Sequence, residues 1–378
     1  MSSTPSTRLP ASELLQLRLR SQGLGECGAV DTDRGAATPA SAVDRLFALQ
    51  GQDLPGALWS LGVRAPDSDL ADVQAAFDRG ELVRTWPFRG TLFVIAAADV
   101  PWVLALTAER SIRGAARRRE QLGLDEATFD AAEAVARDVL SGGGLTRQPL
   151  LDAFAAGGIA VDASRGYHMI WTLAQRGVIV LGPFEGREQR FVLADEWITA
   201  PRRLEADEAL GELVRRYLAG RGPTPESDIA WWTKLPLRDV RRGIDVVRGE
   251  LVGFDVAGVH HWAHAATLDR VASENPPATI LLPGFDEWML GHGDRDPVVD
   301  PEHAQQVVPG NNGIFKSTVV HRGRVVGLWS KRTLTRRTVL TPTALEGTLS
   351  KTVRAGVARA ADRYGRFLGT EIEVADGR

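Results

Sequence analysis

The 378-residue sequence predicts an α+β chain: three winged helices in tandem, then a strand-rich C-terminal region. Two patterns carry this. One is a recurring order of helices followed by a glycine-turned strand pair. The other is a series of short strands after residue 278, closed by an amphipathic helix over residues 345–367. A composition of 44% hydrophobic and 25% charged residues fits a globular protein of several domains.

Residues 1–11 are polar and Ser/Thr-rich, and are expected to be flexible. The first winged helix is expected over 12–100, with helices near 14–22, 42–50, 55–61 and 70–79 and a strand pair over 83–95. A basic connecting helix follows over 101–125, carrying Arg110, Arg113, Arg117, Arg118 and Arg119. The second winged helix, 126–200, shows the pattern most clearly. Its first helix, 127–140, stops at Gly142-Gly143-Gly144, Thr146 is placed to cap the second, and Ser164 opens the third. Gly177 closes that helix, and 178–181 pairs with 190–193 around Glu185-Gly186-Arg187. The third copy, 206–266, has its third helix over 237–247 and a strand pair turned at Gly258. The last region, 278–378, has strands expected over 279–282, 315–320, 324–329 and 338–340.

No apolar run reaches the ~18–20 residues that span a bilayer, and the start has no apolar core of a signal peptide. The single cysteine, Cys27, can form no internal disulfide, so the cytoplasm is the expected compartment, with nucleoid association if DNA is the partner. A monomer is expected. A net charge of -3 and a pI near 6.2 argue against holding DNA by charge alone. The distribution is lopsided, however. From His303 to Leu345 there is no Asp or Glu, while Lys316, Arg322, Arg324, Lys331, Arg332, Arg336 and Arg337 are basic. His260, His261 and His264 invite a metal, but neighbours in a strand face opposite ways, and no metal or cofactor is expected.

One segment departs from its pattern. Val43, Leu46 and Phe47 fall at i, i+3 and i+4 of a helical stripe, and Gln50 takes i+7, where an apolar residue belongs. A core-facing carboxamide must satisfy an acceptor and two donor hydrogens. Gln52 follows two residues later, after Gly51, and Asp53 precedes Leu54-Pro55 as the natural cap of the next helix. Gly51 and Pro55 place the helix end near Gln50, so both amides can converge on one point. Taken alone, Gln50 is as well read as a helix cap and Gln52 as a loop residue.

In order along the chain, these segments resemble the AlkZ/YcaQ family of DNA glycosylases. Leu17-Arg18-Leu19-Arg20-Ser21-Gln22-Gly23-Leu24 resembles the family opening, and Leu49-Gln50-Gly51-Gln52-Asp53 resembles its QxQ catalytic motif. Leu82-Val83-Arg84-Thr85-Trp86 with Arg89-Gly90-Thr91-Leu92 is a third match. Leu281-Leu282-Pro283-Gly284-Phe285-Asp286-Glu287, Gly291, Asp294-Arg295 and residues 323–329 make the fourth. Two positions depart: Gly51 stands where a larger residue is usual, and Phe93 where His is frequent. The second Gln, rather than Asp, places the chain nearer the AlkZ branch, which is associated with self-resistance to DNA-alkylating natural products.

The resemblance implies three winged helices in a C-shape around duplex DNA, and excision of N-alkylated purines, bulky or crosslinked adducts included. Gln50 and Gln52 would be the catalytic pair, with Asp53 as an alternative base. An N7-alkylpurine is already cationic and leaves without further protonation, so neutral amides holding a water can suffice. Arg89 and Thr91, at and after the turn of the first strand pair, and Lys316, Arg322, Arg324, Lys331 and Arg332 are candidates for DNA contact. Asp286 and Glu287 are expected in a structural ion pair with Arg295. Only four lysines occur (Lys234, Lys316, Lys331, Lys351), none in the glutamine motif, which points to a monofunctional enzyme. A non-enzymatic winged-helix regulator and a protein-interaction scaffold remain the alternatives.

Overall fold

A computed structural model describes residues 7–24, 37–272, 274–334 and 337–375; Cys27 and Arg336 lie outside these. The chain divides into two compact units, Met1–Val73 with Gly211–Arg378, and Gln74–Leu210. The division cuts through the expected first winged helix: its helices up to residue 64 fall in the first unit and its strand pair in the second.

In the second unit the helices Glu126–Leu140, Arg147–Ala156 and Arg165–Gln175 precede the strands Ile179–Glu185 and Glu188–Leu193, the order expected from the sequence. Asp125 caps the first helix by accepting from Thr128 N–H. Thr146 takes the cap position of the second but makes no side-chain hydrogen bond there. Phe129, Phe154, Met169 and Leu173 are sealed in one apolar core, each worth about 1.5–3 kcal/mol on burial. Strand Leu82–Phe88 pairs antiparallel with Thr91–Ala96 on one side and with Ile179–Glu185 on the other. The basic connector is two helices, Val100–Gly114 and Ala116–Gln121, meeting at Ala115.

Three hairpin turns share one solution. Arg89-Gly90, Ala257-Gly258 and Arg322-Gly323 all have positive φ at both central residues. This is the two-residue turn whose twist matches that of the flanking strands.

The first unit holds helix Ala206–Arg221 from Gly211 onward, helices Glu226–Thr233 and Leu237–Val247, and the hairpin Leu251–Val256/Val259–His264. Thr7–Arg8, expected in a flexible terminus, pairs parallel with Leu251–Val256. A second sheet orders its strands Ile372–Val374, Thr338–Ala344, Arg324–Thr333, Thr318–His321 and Thr279–Leu282. The last helix, Lys351–Leu368, starts later than expected, where Ser350 accepts from Val353 N–H. Trp59 of helix Leu54–Arg64 lies 4.6 Å from the Tyr364 ring and 5.1 Å from Phe367 of that last helix. Trp59 also donates its indole N–H to Leu281 O. These contacts fix the helix that begins directly after Gln52.

The helix before the glutamines is Pro39–Leu46, opened by a Thr38–Ser41 capping box. It ends four residues earlier than the apolar stripe suggested. Phe47 adopts φ 68°, which a right-handed helix cannot continue, and Ala48–Gln50 is extended. Gln50 is therefore a strand residue, not the last turn of a helix.

Candidate active site

Gln50 is held from behind. Its backbone N–H donates to Glu287 Oε1 at 2.9 Å. The other oxygen, Oε2, accepts from Arg221 Nη2 at 2.6 Å and from the Trp232 indole at 3.0 Å. Arg221 in turn donates to the carbonyls of Leu46 and Ala48, at 2.5 and 2.8 Å, so it ties down the same segment from its other edge. Arg221 is 0% exposed and Glu287 1%. A charge so deep persists only when paired and fully hydrogen-bonded, and that requirement fixes the geometry.

A second buried pair lies beside the first. Arg64 clasps Asp286 through two nitrogens at 2.8 and 2.9 Å, and Ser60 Oγ donates to the same carboxylate. Burial alone would raise the Asp286 carboxyl, but Arg64, Ser60 and the Trp288 N–H hold it below its ordinary range. Gln22 bridges the two pairs. Its carbonyl and side-chain oxygens accept from Arg64, while its amide donates to Glu287 O. The expected ion pair of Asp286 and Glu287 with Arg295 is thus corrected. Arg295 instead donates to Met289 O, and its guanidinium lies over the rings of Trp231 and Phe315.

In front of this brace Gln50 is buried and Gln52 exposed. Gln50 Oε1 accepts the Gln52 backbone N–H at 3.0 Å, so the first amide shapes the bend that presents the second. Asp53 occupies the cap position of helix Leu54–Arg64, yet its side chain makes no capping hydrogen bond. Its carboxylate lies over Gly56 instead. A Cβ on Gly56 would sit 2.6 Å from Asp53 Oδ2 and 3.2 Å from Gly284 O. Gly284 in turn packs on Phe315 O and donates its N–H to Ser317 Oγ.

One family matches this chain. Its description is DNA glycosylase AlkZ-like, and it covers residues 43–367. The chain belongs to the AlkZ-like family of DNA glycosylases. A relative from Streptomyces sahachiroi, an interstrand DNA cross-link repair glycosylase, is 28% identical over 302 residues, covering 76% of this chain and 80% of the relative. The solved structure of Streptomyces sahachiroi DNA glycosylase AlkZ superposes with a TM-score of 0.78 at 23% identity, over 98% of this chain and all of that one. That likeness establishes a shared mixed helix-and-sheet fold.

The first unit of this AlkZ-like glycosylase brings together Gln50, Gln52, Asp53 and, through Gly284 and Phe315, Lys316. Lys316 is exposed. Arg324 is engaged by Asp300 at 2.5 Å. Gly323, between Arg322 and Arg324, packs on Leu15 and Leu19, so that hairpin tip lies against a helix of its own fold. Lys331 donates to the Tyr364 hydroxyl, and Arg332 is exposed. Arg89 and Thr91 belong to the second unit, where the Arg89 guanidinium lies 5.3 Å from the Phe93 ring centroid. Among the described residues no cluster of three His, Cys, Asp or Glu is placed to hold a metal ion. His260 is exposed and His261 buried, as opposite faces of a strand require.

Arg221, Glu287, Arg64 and Trp232 were not singled out for this work by sequence reasoning. A signal for the arginines exists. Arg64 ends a helix whose residues from Gly56 onward are all buried, and Arg221 ends another on its apolar side. A charge in such a place calls for a buried carboxylate partner.

Proposed function

We propose that this DNA glycosylase hydrolyses the N-glycosidic bond of N7-alkylpurines in duplex DNA, bulky and crosslinked adducts included. It would act as a monomer in the cytoplasm, without metal or cofactor. The setting is repair of alkylated DNA or self-resistance against a DNA-alkylating natural product, and the likeness to an interstrand cross-link repair glycosylase supports the inclusion of crosslinked adducts. The observation that carries the reading is the braced pair. Gln50 is fixed by the buried Glu287–Arg221 cluster, and its amide sets the bend that exposes Gln52.

In this mechanism the two amides hold a water against C1′. The water oxygen bonds to C1′ as the C1′–N9 bond breaks, and the bonding pair leaves with the purine and cancels its positive charge. The surplus proton of the water passes to solvent, since a carboxamide cannot accept it, or to the exposed Asp53 carboxylate beside it. Products are an abasic sugar and a neutral alkylpurine. No amine attacks, so the strand stays intact.

The test is incubation with duplex DNA containing N7-methylguanine, followed by an assay for abasic sites. The full-length protein is expected to release the base, and Gln50→Ala and Gln52→Ala each to slow release by about 10²-fold or more. Absence of release by the unaltered protein, or release untouched by both substitutions, overturns the assignment.

A further inference from the structure

The segment between the last short helices and strand Thr318–His321 carries the most exposed large apolar residue among the described residues, Ile314, at 57%. It is not a loose tail. Asn312 Oδ1 accepts the Ile314 N–H at 2.9 Å, and Gly313 turns the chain with φ 78°. Immediately after it Phe315 is buried, and the Lys316 N–H donates to Val307 O. Ser317 accepts from Gly284 N–H through its hydroxyl and from Trp329 N–H through its carbonyl. Ile314 therefore projects from a pinned base.

A lone exposed isoleucine needs no explanation. Its neighbours give it one. Phe315 O packs on Gly284, whose own carbonyl lies against Gly56 and the Asp53 carboxylate, so Ile314 and Lys316 flank a residue of the wall that reaches Asp53, the neighbour of Gln52 in sequence. The same stretch, His303 to Leu345, holds seven lysines and arginines and no acid, and of these Arg324 and Arg337 are paired with Asp300 and Glu373 from outside it. The remaining charge suits a polyanion, and the apolar tip suits the base stack of a duplex.

Resting on the excision reading above, we infer that Ile314 is a wedge entering the base stack from the minor groove beside the damaged purine, with Lys316 on a flanking phosphate. N7 and its adduct lie in the major groove, so this approach reaches C1′ without displacing the adduct. A crosslinked base cannot be swung out of the helix, and an opened base step gives access to the sugar in place.

The experiment places 2-aminopurine next to N7-methylguanine in a duplex and follows its fluorescence on binding, with single-turnover release measured in parallel. The unaltered protein is expected to raise the fluorescence as the step unstacks. Ile314→Ala is expected to abolish the rise and slow release by about ten-fold, with its thermal stability unchanged because the side chain is exposed. Lys316→Gln is expected to weaken binding and lower the salt slope by about one. Release without a fluorescence rise, or a rise that survives Ile314→Ala, overturns the wedge and leaves the excision reading standing. A rise without release does the reverse.

Discussion

Glu287 Oε1 accepts the Gln50 N–H while Oε2 of the same carboxylate holds Arg221, so one buried side chain couples the catalytic candidate to a buried ion pair. Substituting Glu287→Gln leaves Arg221 buried against a neutral partner, with an expected stability loss of about 3–5 kcal/mol. Trp232→Phe keeps the ion pair and removes one donor to the carboxylate, at about 1.5–3 kcal/mol. Urea denaturation measures both. In whatever fraction folds, Glu287→Gln is expected to slow release more than it weakens DNA binding, since its single acceptor oxygen cannot serve both the Gln50 N–H and Arg221. Full-rate release by folded Glu287→Gln protein would show that the glutamine segment needs no such brace.

Neither amide titrates, and the leaving purine brings its own charge. The single-turnover rate is therefore expected to stay flat between about pH 6 and pH 9. Asp53→Asn is expected to stay within about three-fold of the unaltered rate, against the 10²-fold or greater loss of a true general base. A rate that rises with pH along one ionisation, and disappears in Asp53→Asn, would transfer the catalytic role to that carboxylate.

Individual turns and helix ends were legible because each is written locally. Gly186, Gly258 and Gly323 adopt the positive φ that their hairpins need, and helices such as Leu237–Val247 match their apolar spacing. The brace behind Gln50 was not legible, because its parts are 237 residues apart for Glu287 and 175 for Arg221 to Leu46 O. Only the folded core brings them together. The helical stripe through Gln50 misled for the opposite reason. Its spacing was correct, but one left-handed residue, Phe47, ends the helix early, and periodicity carries no warning of that.

Two glycines on helix Leu54–Arg64 separate soft from hard contacts. A Cβ at Gly56 meets the mobile end of the exposed Asp53 at 2.6 Å, whereas one at Gly62 meets the buried Phe367 ring at 2.5 Å. For Gly56→Ala the gain in helix propensity of about 1 kcal/mol nearly offsets the crowding, so stability is expected to change by less than about 1 kcal/mol. Gly62→Ala must push back a packed ring and is expected to cost about 1–3 kcal/mol. Thermal unfolding of the two variants checks the order. Gly56→Ala also displaces the Asp53 carboxylate, so its release rate should follow that of Asp53→Asn.

His292 makes stability depend on pH, in the same direction as His168, His261 and His321, whose imidazoles burial also holds below their ordinary value. Burial pushes the His292 imidazole from its ordinary 6.5 down to about 4, and the nearby charge of Arg18 adds to this; Asp228, 3.2 Å from Nδ1, opposes it and Arg221 reinforces it. Thr224 is the remaining polar neighbour, and its hydroxyl donates to Asp228. A carboxylate only accepts, so Nδ1 carries the hydrogen of this contact. Between pH 6.5 and about 4 the unfolded chain binds a proton that the folded chain refuses. Stability is therefore full above 6.5 and falls as pH drops towards 4, by about 3 kcal/mol in all. Asp228 and Asp286, both held below their ordinary 3.8, weaken the fold only at lower pH still. Urea midpoints measured at steps from about pH 7 to about pH 4 should show this slope in the unaltered protein and a flatter line in His292→Gln, which has no proton to take up. Equal slopes in both proteins would place the acid sensitivity elsewhere.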